Sequence, residues 1–253
     1  MKMKIGSLFI VITAVVIGVS ALLAWHFLGA EKRTHAKLAI VIDDCGYDTQ
    51  NLPQITALKQ KITFAVIPHC ASSSDALNMI KAAQKEGILH LPMQPLDQSK
   101  QSEKITITTD LTAQQITDIT NQALSALPAV IGISNHQGSA ATADLRVMEN
   151  VLAVAKQNNL FFFDSNTQPK TIAYKTAKEM GIKTALNQAF LDDQADVAYI
   201  QEELMKAARQ ALQNGTYIVI GHDRPHTAIA LSQTIDDIEK MGVEMVFVSE
   251  LLE

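Results

Sequence analysis

The sequence predicts an α/β fold, a distorted parallel (β/α) barrel of seven to eight units preceded by one N-terminal hydrophobic helix. Three observations lead there. Short apolar runs alternate with stretches of helical spacing throughout residues 38–253, the pattern of repeated β–α units. Runs such as Ala39-Ile40-Val41-Ile42, Phe64-Ala65-Val66-Ile67 and Ile218-Val219-Ile220 are apolar throughout, as strands covered on both faces are. The first run ends in Asp43-Asp44-Cys45-Gly46-Tyr47, whereas a doubly wound open sheet, the alternative, would normally carry a glycine-rich phosphate turn at that point. Seven or eight units in about 220 residues suit a closed or nearly closed barrel better than an open sheet.

Residues 1–30 form the first segment. Leu8 to Leu28 carry no formal charge, and this is the length a bilayer-spanning helix needs. The apolar stretch exceeds a usual signal-peptide core, so an uncleaved signal-anchor is expected. Leu28-Gly29-Ala30 leaves cleavage, and hence secretion, as the alternative. Lys2 and Lys4 precede the span and Lys32, Arg33 and Lys37 follow it, so positive charge alone does not orient it. Its position at the extreme N-terminus points to export of the domain behind it. A short polar linker, residues 31–37, leads into the domain, residues 38–253.

Within that domain strands are expected at 38–43, 62–67, 88–92, 130–135, 160–164, 183–186, 217–221 and 244–248, and helices at 73–86, 113–126, 144–158, 170–180, 197–213 and 226–241. Ser72 to Asp75 offer N-cap oxygens for the first helix, and Thr112 with Gln115 makes a capping-box pattern for the second. Gly87, Gly181, Gly215 and Gly242 stand where helices should stop. The stretch 94–109, rich in Gln, Ser, Thr and Lys, is long for a connection; loops of that length often cover or line a site, here by contacting glycan, and a disordered surface loop is the equal alternative.

Polar residues cluster at strand ends. Asp43 and Asp44 close the first strand, His69 follows the second, His90 lies in the third, Asn135 and His136 close the fourth, and Asp164 closes the fifth. Asp192 and Asp193 come just after the sixth; His222 closes the seventh, with His226 beyond it. Five of the seven histidines therefore map to the rim on which the C-terminal strand ends of a parallel barrel converge, and where such barrels build active sites. Adjacent carboxylates after a buried strand repel each other and call for a cation or hydrogen-bond donors. Mixed carboxylate and imidazole donors suit zinc or another divalent transition metal. One Asp and two His would leave a position open for water, and a second carboxylate could act as general base. For Asp164 and Asp193 the competing role is the N-cap of the next helix.

The segments Ile40-Val41-Ile42-Asp43-Asp44, Leu89-His90-Leu91-Pro92-Met93, Gly132-Ile133-Ser134-Asn135-His136-Gln137-Gly138-Ser139, Phe163-Asp164-Ser165 and Ile220-Gly221-His222 resemble the divergent polysaccharide deacetylase family, an exported bacterial branch related to metal-dependent carbohydrate deacetylases. The resemblance runs from Leu38 to Glu253. It implies a distorted barrel, a divalent metal such as zinc, and removal of acyl groups from an N-acylated sugar. It further implies Asp43 as catalytic base, Asp44, His90 and His136 as metal ligands, His222 as the acid that protonates the leaving amine, and Asp164 as a residue orienting a catalytic group. The two histidine ligands here come from different strands, not from one short motif.

The expected partners are a polysaccharide or oligosaccharide of the envelope or cell wall and, through the N-terminal helix, a membrane. A net charge of -5 with scattered Lys and Arg supplies no basic stripe for a phosphate backbone, so nucleic acid is not expected. Cys45 and Cys70 both follow strands; free thiols are the expectation, and a disulfide is open if the strands are neighbours in an exported domain. Two other functional classes stay open: a membrane-tethered glycan-binding or scaffold protein without chemistry, and a metal-dependent hydrolase of another bond.

Overall fold

The computed structural model describes residues 36–253. The expected membrane segment at 8–28 and all but the end of the linker lie outside the described residues.

Among the described residues nine parallel strands form the sheet: β1 (Ala36–Cys45), β2 (Thr63–Val66), β3 (Glu86–Met93), β4 (Gly132–Gln137), β5 (Phe161–Asp164), β6 (Thr184–Leu186), β7 (Ala189–Phe190), β8 (Thr216–His222) and β9 (Val243–Val246). Their spatial order is β6-β5-β4-β3-β2-β1-β8-β7, with β9 against β1. The two terminal strands of this order are separated in the chain only by Asn187 and Gln188. One short segment thus pairs with β5 through Phe162↔Thr184 and with β8 through Ala189↔Val219, closing the ring. β1 is long enough to serve two partners on one flank: β9 lies beside Ala36 to Ala39, and β2 beside Val41 to Cys45. The barrel therefore has seven strand positions around its circumference, with β9 filling in below β2. The expected sixth strand is β6; β7, which the sequence does not predict, follows it where the chain changes partner from β5 to β8.

Helices α1 (Leu52–Thr56), α2 (Ser73–Ala82), α3 (Ala113–Ala126), α4 (Leu145–Gln157), α5 (Ala173–Glu179), α6 (Val197–Asn214) and α7 (Pro225–Lys240) cover the outside. The sequence does not predict α1; its five residues are too few to show a period. α2 stops four residues early because Glu86 already belongs to β3. The capping box of α3 forms, with the Gln115 N–H donating to Thr112 Oγ1 and the Thr112 N–H to Gln115 Oε1. Asp144 and Asp196 cap α4 and α6 by accepting from the backbone N–H of Val147 and Tyr199. Ser72 caps nothing with its side chain; instead Ser73 Oγ donates to the Ile67 carbonyl.

Alternation along each strand divides the core in two. Leu38, Ile40 and Ile42 of β1, Phe64 and Val66 of β2, Leu89 and Leu91 of β3 and Phe162 of β5 pack outward under the helices. Ala39, Val41, Ala65, Ile88, Phe161, Phe163, Ile218 and Ile220 fill the barrel. Burying each such large side chain stabilises the fold by roughly 1.5–3 kcal/mol before chain entropy is subtracted. This parity decides which polar side chains reach the interior.

Candidate active site

Asp43 shares the inward parity of Ala39 and Val41 and lies opposite His222 in the β1–β8 register. A regular strand would then send Asp44 outward, into the apolar layer under the helices. Between Ile42↔Phe64 and Cys45↔Val66, however, β1 spends three residues where β2 spends two. The extra residue is Asp44, held at φ 63°, a left-handed conformation that Asp tolerates better than most residues. The bulge leaves both acids at the barrel mouth and returns Cys45 to the outer core.

His90 follows the parity of Ile88 inward from β3. Ser134 of β4 stands opposite it in register, and their contact, His90 Nδ1 to Ser134 Oγ at 2.7 Å, leaves Nε2 facing the mouth. That nitrogen lies 3.4 Å from Asp43 Oδ2 and 3.5 Å from Asp44 Oδ1. His136, two residues after Ser134 on the same face, brings Nδ1 to 2.8 Å from Asp44 Oδ1. One donor atom from each of Asp44, His90 and His136 thus falls within 4.8 Å of the others. Ligand bonds of about 2.0–2.2 Å in a tetrahedral site put donor atoms roughly 3.3 Å apart, and the observed separations of 2.8 and 3.5 Å straddle that figure. Asp43 Oδ1, buried beside this set, has no hydrogen-bond partner among the described residues. The donor set and the orphaned oxygen fit a divalent transition metal with an adjacent base.

Electrostatics separates the two acids. Burial raises the Asp43 carboxyl above its usual value, with the nearby histidines opposing. Burial also works to raise Asp44, but hydrogen bonds from His136 and His90 outweigh it and hold that carboxylate ionised. Burial pulls His136 down, yet Asp44 and Glu103 together lift it to about 9. The two adjacent acids therefore differ in proton affinity in the sense that a base and a ligand require.

His222 lies across the cavity, supported by a residue that the sequence places only near the rim. Asp192 Oδ1 is 2.7 Å from His222 Nδ1, while Asp192 Oδ2 accepts from the His222 backbone N–H at 2.9 Å and from Thr227 Oγ1 at 2.8 Å. Burial lowers the affinity of His222 for a proton, but Asp192 more than offsets this and the net shift is upward. The Phe190 ring stacks on the imidazole, with 6.2 Å between centroids. Asp43, Asp44, His90, His136, Ser165, Phe190, Asp193 and His222 are among the residues lining a cavity of about 280 Å³.

Asp164 is not among the residues lining that cavity. It shares the outward parity of Phe162, and its side chain accepts from the N–H of Asn166 and Tyr174 and from Thr171 Oγ1. It caps the turn leading into α5, and the carboxylate that braces an imidazole of the site, in the place expected for Asp164, is Asp192. His69 and His226 are exposed and stay outside the cluster. Cys45 is buried, Cys70 is half-buried, and both are free thiols. A residue invisible to strand-end logic reaches in from the long loop: Glu103 Oε2 is 3.1 Å from His136 Nε2.

The model of the divergent polysaccharide deacetylase family matches residues 40–252. An uncharacterized protein of Haemophilus influenzae is 35% identical over 212 residues, covering 82% of this chain and 75% of its own. An uncharacterized protein of Agrobacterium tumefaciens superposes with a TM-score of 0.81 at 20% identity, over 86% of this chain and 89% of that one. A CE4-family pseudoenzyme from Bacillus anthracis gives a TM-score of 0.55 at 15% identity, over 86% and 66%. The chain belongs to the divergent polysaccharide deacetylase family.

Proposed function

We propose that this divergent polysaccharide deacetylase is a metal-dependent hydrolase that removes the acyl group, most simply acetyl, from an N-acylated amino sugar in an envelope polysaccharide. One observation carries the reading. The three-donor set of Asp44, His90 and His136 sits beside the free Oδ1 of Asp43, with the Asp192-supported His222 lining the same cavity.

Asp44, His90 and His136 would hold the ion, for which zinc is the first choice given its preference for nitrogen and oxygen donors. Bound there, the ion would supply Lewis acidity toward the amide carbonyl and make water easier to deprotonate. Asp43 takes the proton of the attacking water on its free Oδ1, and its raised proton affinity brings it closer to the working pH. With Nδ1 committed to Asp192, His222 presents Nε2 to the substrate and donates a proton to the departing amine. Phe190 lies nearly parallel to that imidazole and supplies an apolar wall of the same cavity.

The test uses the full-length chain, reconstituted with zinc and assayed for acetate release from N-acetylated oligosaccharides, with metal content measured in parallel. Stoichiometric zinc with acetate release is the expected result. A folded chain that takes up no zinc would refute the site assignment. A zinc-loaded chain that binds oligosaccharide and releases no acetate would refute the deacetylase reading; an intact oligosaccharide would then make it a binding protein, and cleavage elsewhere in the oligosaccharide a hydrolase of another bond.

The N-terminal apolar segment would tether this domain to the membrane on the exported side, within reach of envelope glycan. A fusion reporter active only after export, placed at the C-terminus, checks the topology; an inactive reporter with full-length protein in the membrane would rule it out.

A further inference from the structure

We propose that Glu103 is the positioning carboxylate of the metal centre, delivered by the loop between β3 and α3 to fix the orientation and proton position of His136. The inference rests on the metal-site reading above.

Glu103 is the exception in the stretch 96–105, whose other residues are exposed. Its neighbours Ser102, Lys104 and Ile105 are exposed, whereas its own side chain is 9% exposed. Both carboxylate oxygens are occupied: Oε1 accepts from the Tyr47 hydroxyl, and Oε2 accepts from Ser102 Oγ at 2.6 Å and faces His136 Nε2 at 3.1 Å. Turning a glutamate inward from an exposed stretch costs desolvation that a solvent-facing rotamer would avoid. The contacts it gains are with the site.

The loop is held by its neighbours. The Gln94 N–H donates to the Ile107 carbonyl and the Ile107 N–H to the Pro92 carbonyl, closing the loop's base. Gln137 Nε2, one residue beyond His136, donates to the Lys100 carbonyl, and Thr106 Oγ1 donates to the carbonyl of Glu103 itself. Tyr47, three residues beyond Asp44, ties the carboxylate to the other side of the site.

A neutral imidazole has one N–H and one lone pair. His136 turns Nδ1 toward Asp44, so as a ligand it would coordinate through Nδ1 and carry its proton on Nε2. That proton needs an acceptor, and Glu103 Oε2 lies 3.1 Å from Nε2, with Ser102 Oγ beside it at 3.3 Å. His90 is arranged in mirror fashion, with Nε2 to the mouth and Nδ1 against Ser134 Oγ. Each ligand ring therefore has one nitrogen for the ion and one turned to protein partners, Ser134 for His90 and Glu103 with Ser102 for His136, so of the two only His136 has a carboxylate behind it. A carboxylate behind a ligand imidazole orients the ring and raises its basicity, and losing such a partner typically costs about 10–100-fold in metal affinity.

The experiment titrates the metal-free full-length chain with zinc alone against a competing chromophoric chelator, comparing wild type, Glu103→Ala and Glu103→Gln. Glu103→Ala is expected to weaken zinc binding about 10–100-fold. Glu103→Gln, which keeps an acceptor oxygen and loses the charge, is expected to recover part of that loss and keeps the test usable if the alanine variant misfolds. The 15N imidazole spectrum of the zinc-loaded wild type should show His136 metallated at Nδ1 with its proton on Nε2, a signature that a merely structural loop contact would not produce. Equal zinc affinity in all three proteins, or His136 metallated at Nε2, overturns this inference and leaves the metal site standing. A folded wild type that binds no zinc overturns both.

Discussion

The substitution Asp192→Asn probes the support of His222 without opening a cavity, since the two side chains have nearly the same shape. The buried carboxylate serves three donors: the His222 N–H, His222 Nδ1 and Thr227 Oγ1. In the variant, the amide oxygen can still take the backbone N–H and the hydroxyl, but the NH2 group then faces Nδ1. The imidazole must accept there, its proton moves to Nε2, and the charge-assisted bond at 2.7 Å is lost. A hydrogen bond to a charged group is worth about 1.5–3 kcal/mol, so a loss of about 2 kcal/mol is expected. For a folded unit of this size each kcal/mol shifts the melting temperature by about 2–4 °C, which gives a drop of about 4–8 °C. The effect has a defined pH window. Asp192 is depressed from 3.8 on folding, so its contribution is present above that value and lost as pH falls through the folded value. His222 is raised from 6.5, so its contribution is complete below 6.5 and lost as pH rises through the folded value. Thermal melts of the zinc-free chain should therefore differ most between pH 3.8 and 6.5, with the gap narrowing at higher pH. A gap that is absent in the middle of that window, or that widens steadily toward alkaline pH, would refute the ion-pair argument.

Other consequences follow from the same geometry. Asp43→Asn should lower turnover by at least about 10²-fold while zinc content stays at the wild-type level; full activity would remove Asp43 from the mechanism. His136→Ala should lose zinc as well as activity, since it deletes one of three donors, and elemental analysis reads this directly. Adding zinc should raise the melting temperature of wild type in proportion to RT ln(1 + [Zn]/Kd), and Asp44→Ala should abolish the increase. Gly138→Ala should destabilise the fold by about 1–3 kcal/mol, because the glycine sits at φ 87° and a Cβ would approach Met93 Cβ to 3.0 Å and Thr142 Cγ2 to 3.2 Å; denaturant melts measure the loss.

Much of the site is legible at the strand ends. Asp43, Asp44, His90, His136 and His222 each stand at or near the end of an apolar run, and in a parallel barrel those ends share one rim. Asp164 meets the same criterion and lies elsewhere, because one residue's difference in parity turns it to the helical layer beside Thr171 and Tyr174. Asp192 and Asp193 are indistinguishable by position; the pairing of the Leu191 N–H with the Ile220 carbonyl decides that Asp192 meets His222. Glu103 carries no signal, since nothing local marks one acid of a polar loop as the one that folds inward.

The order of β–α units, the apolar strands and the convergence of polar residues on one mouth are properties of the sequence itself, because period and burial preference act within a few residues of each position. Which side chains meet was decided only by the tertiary structure. The bulge that places Asp44 beside Asp43, the change of partner at Asn187 and Gln188 that closes the ring, and the loop that carries Glu103 to His136 all depend on register between segments distant in the chain. Contacts of that kind are set by the packing of the whole barrel, and no local pattern encodes them.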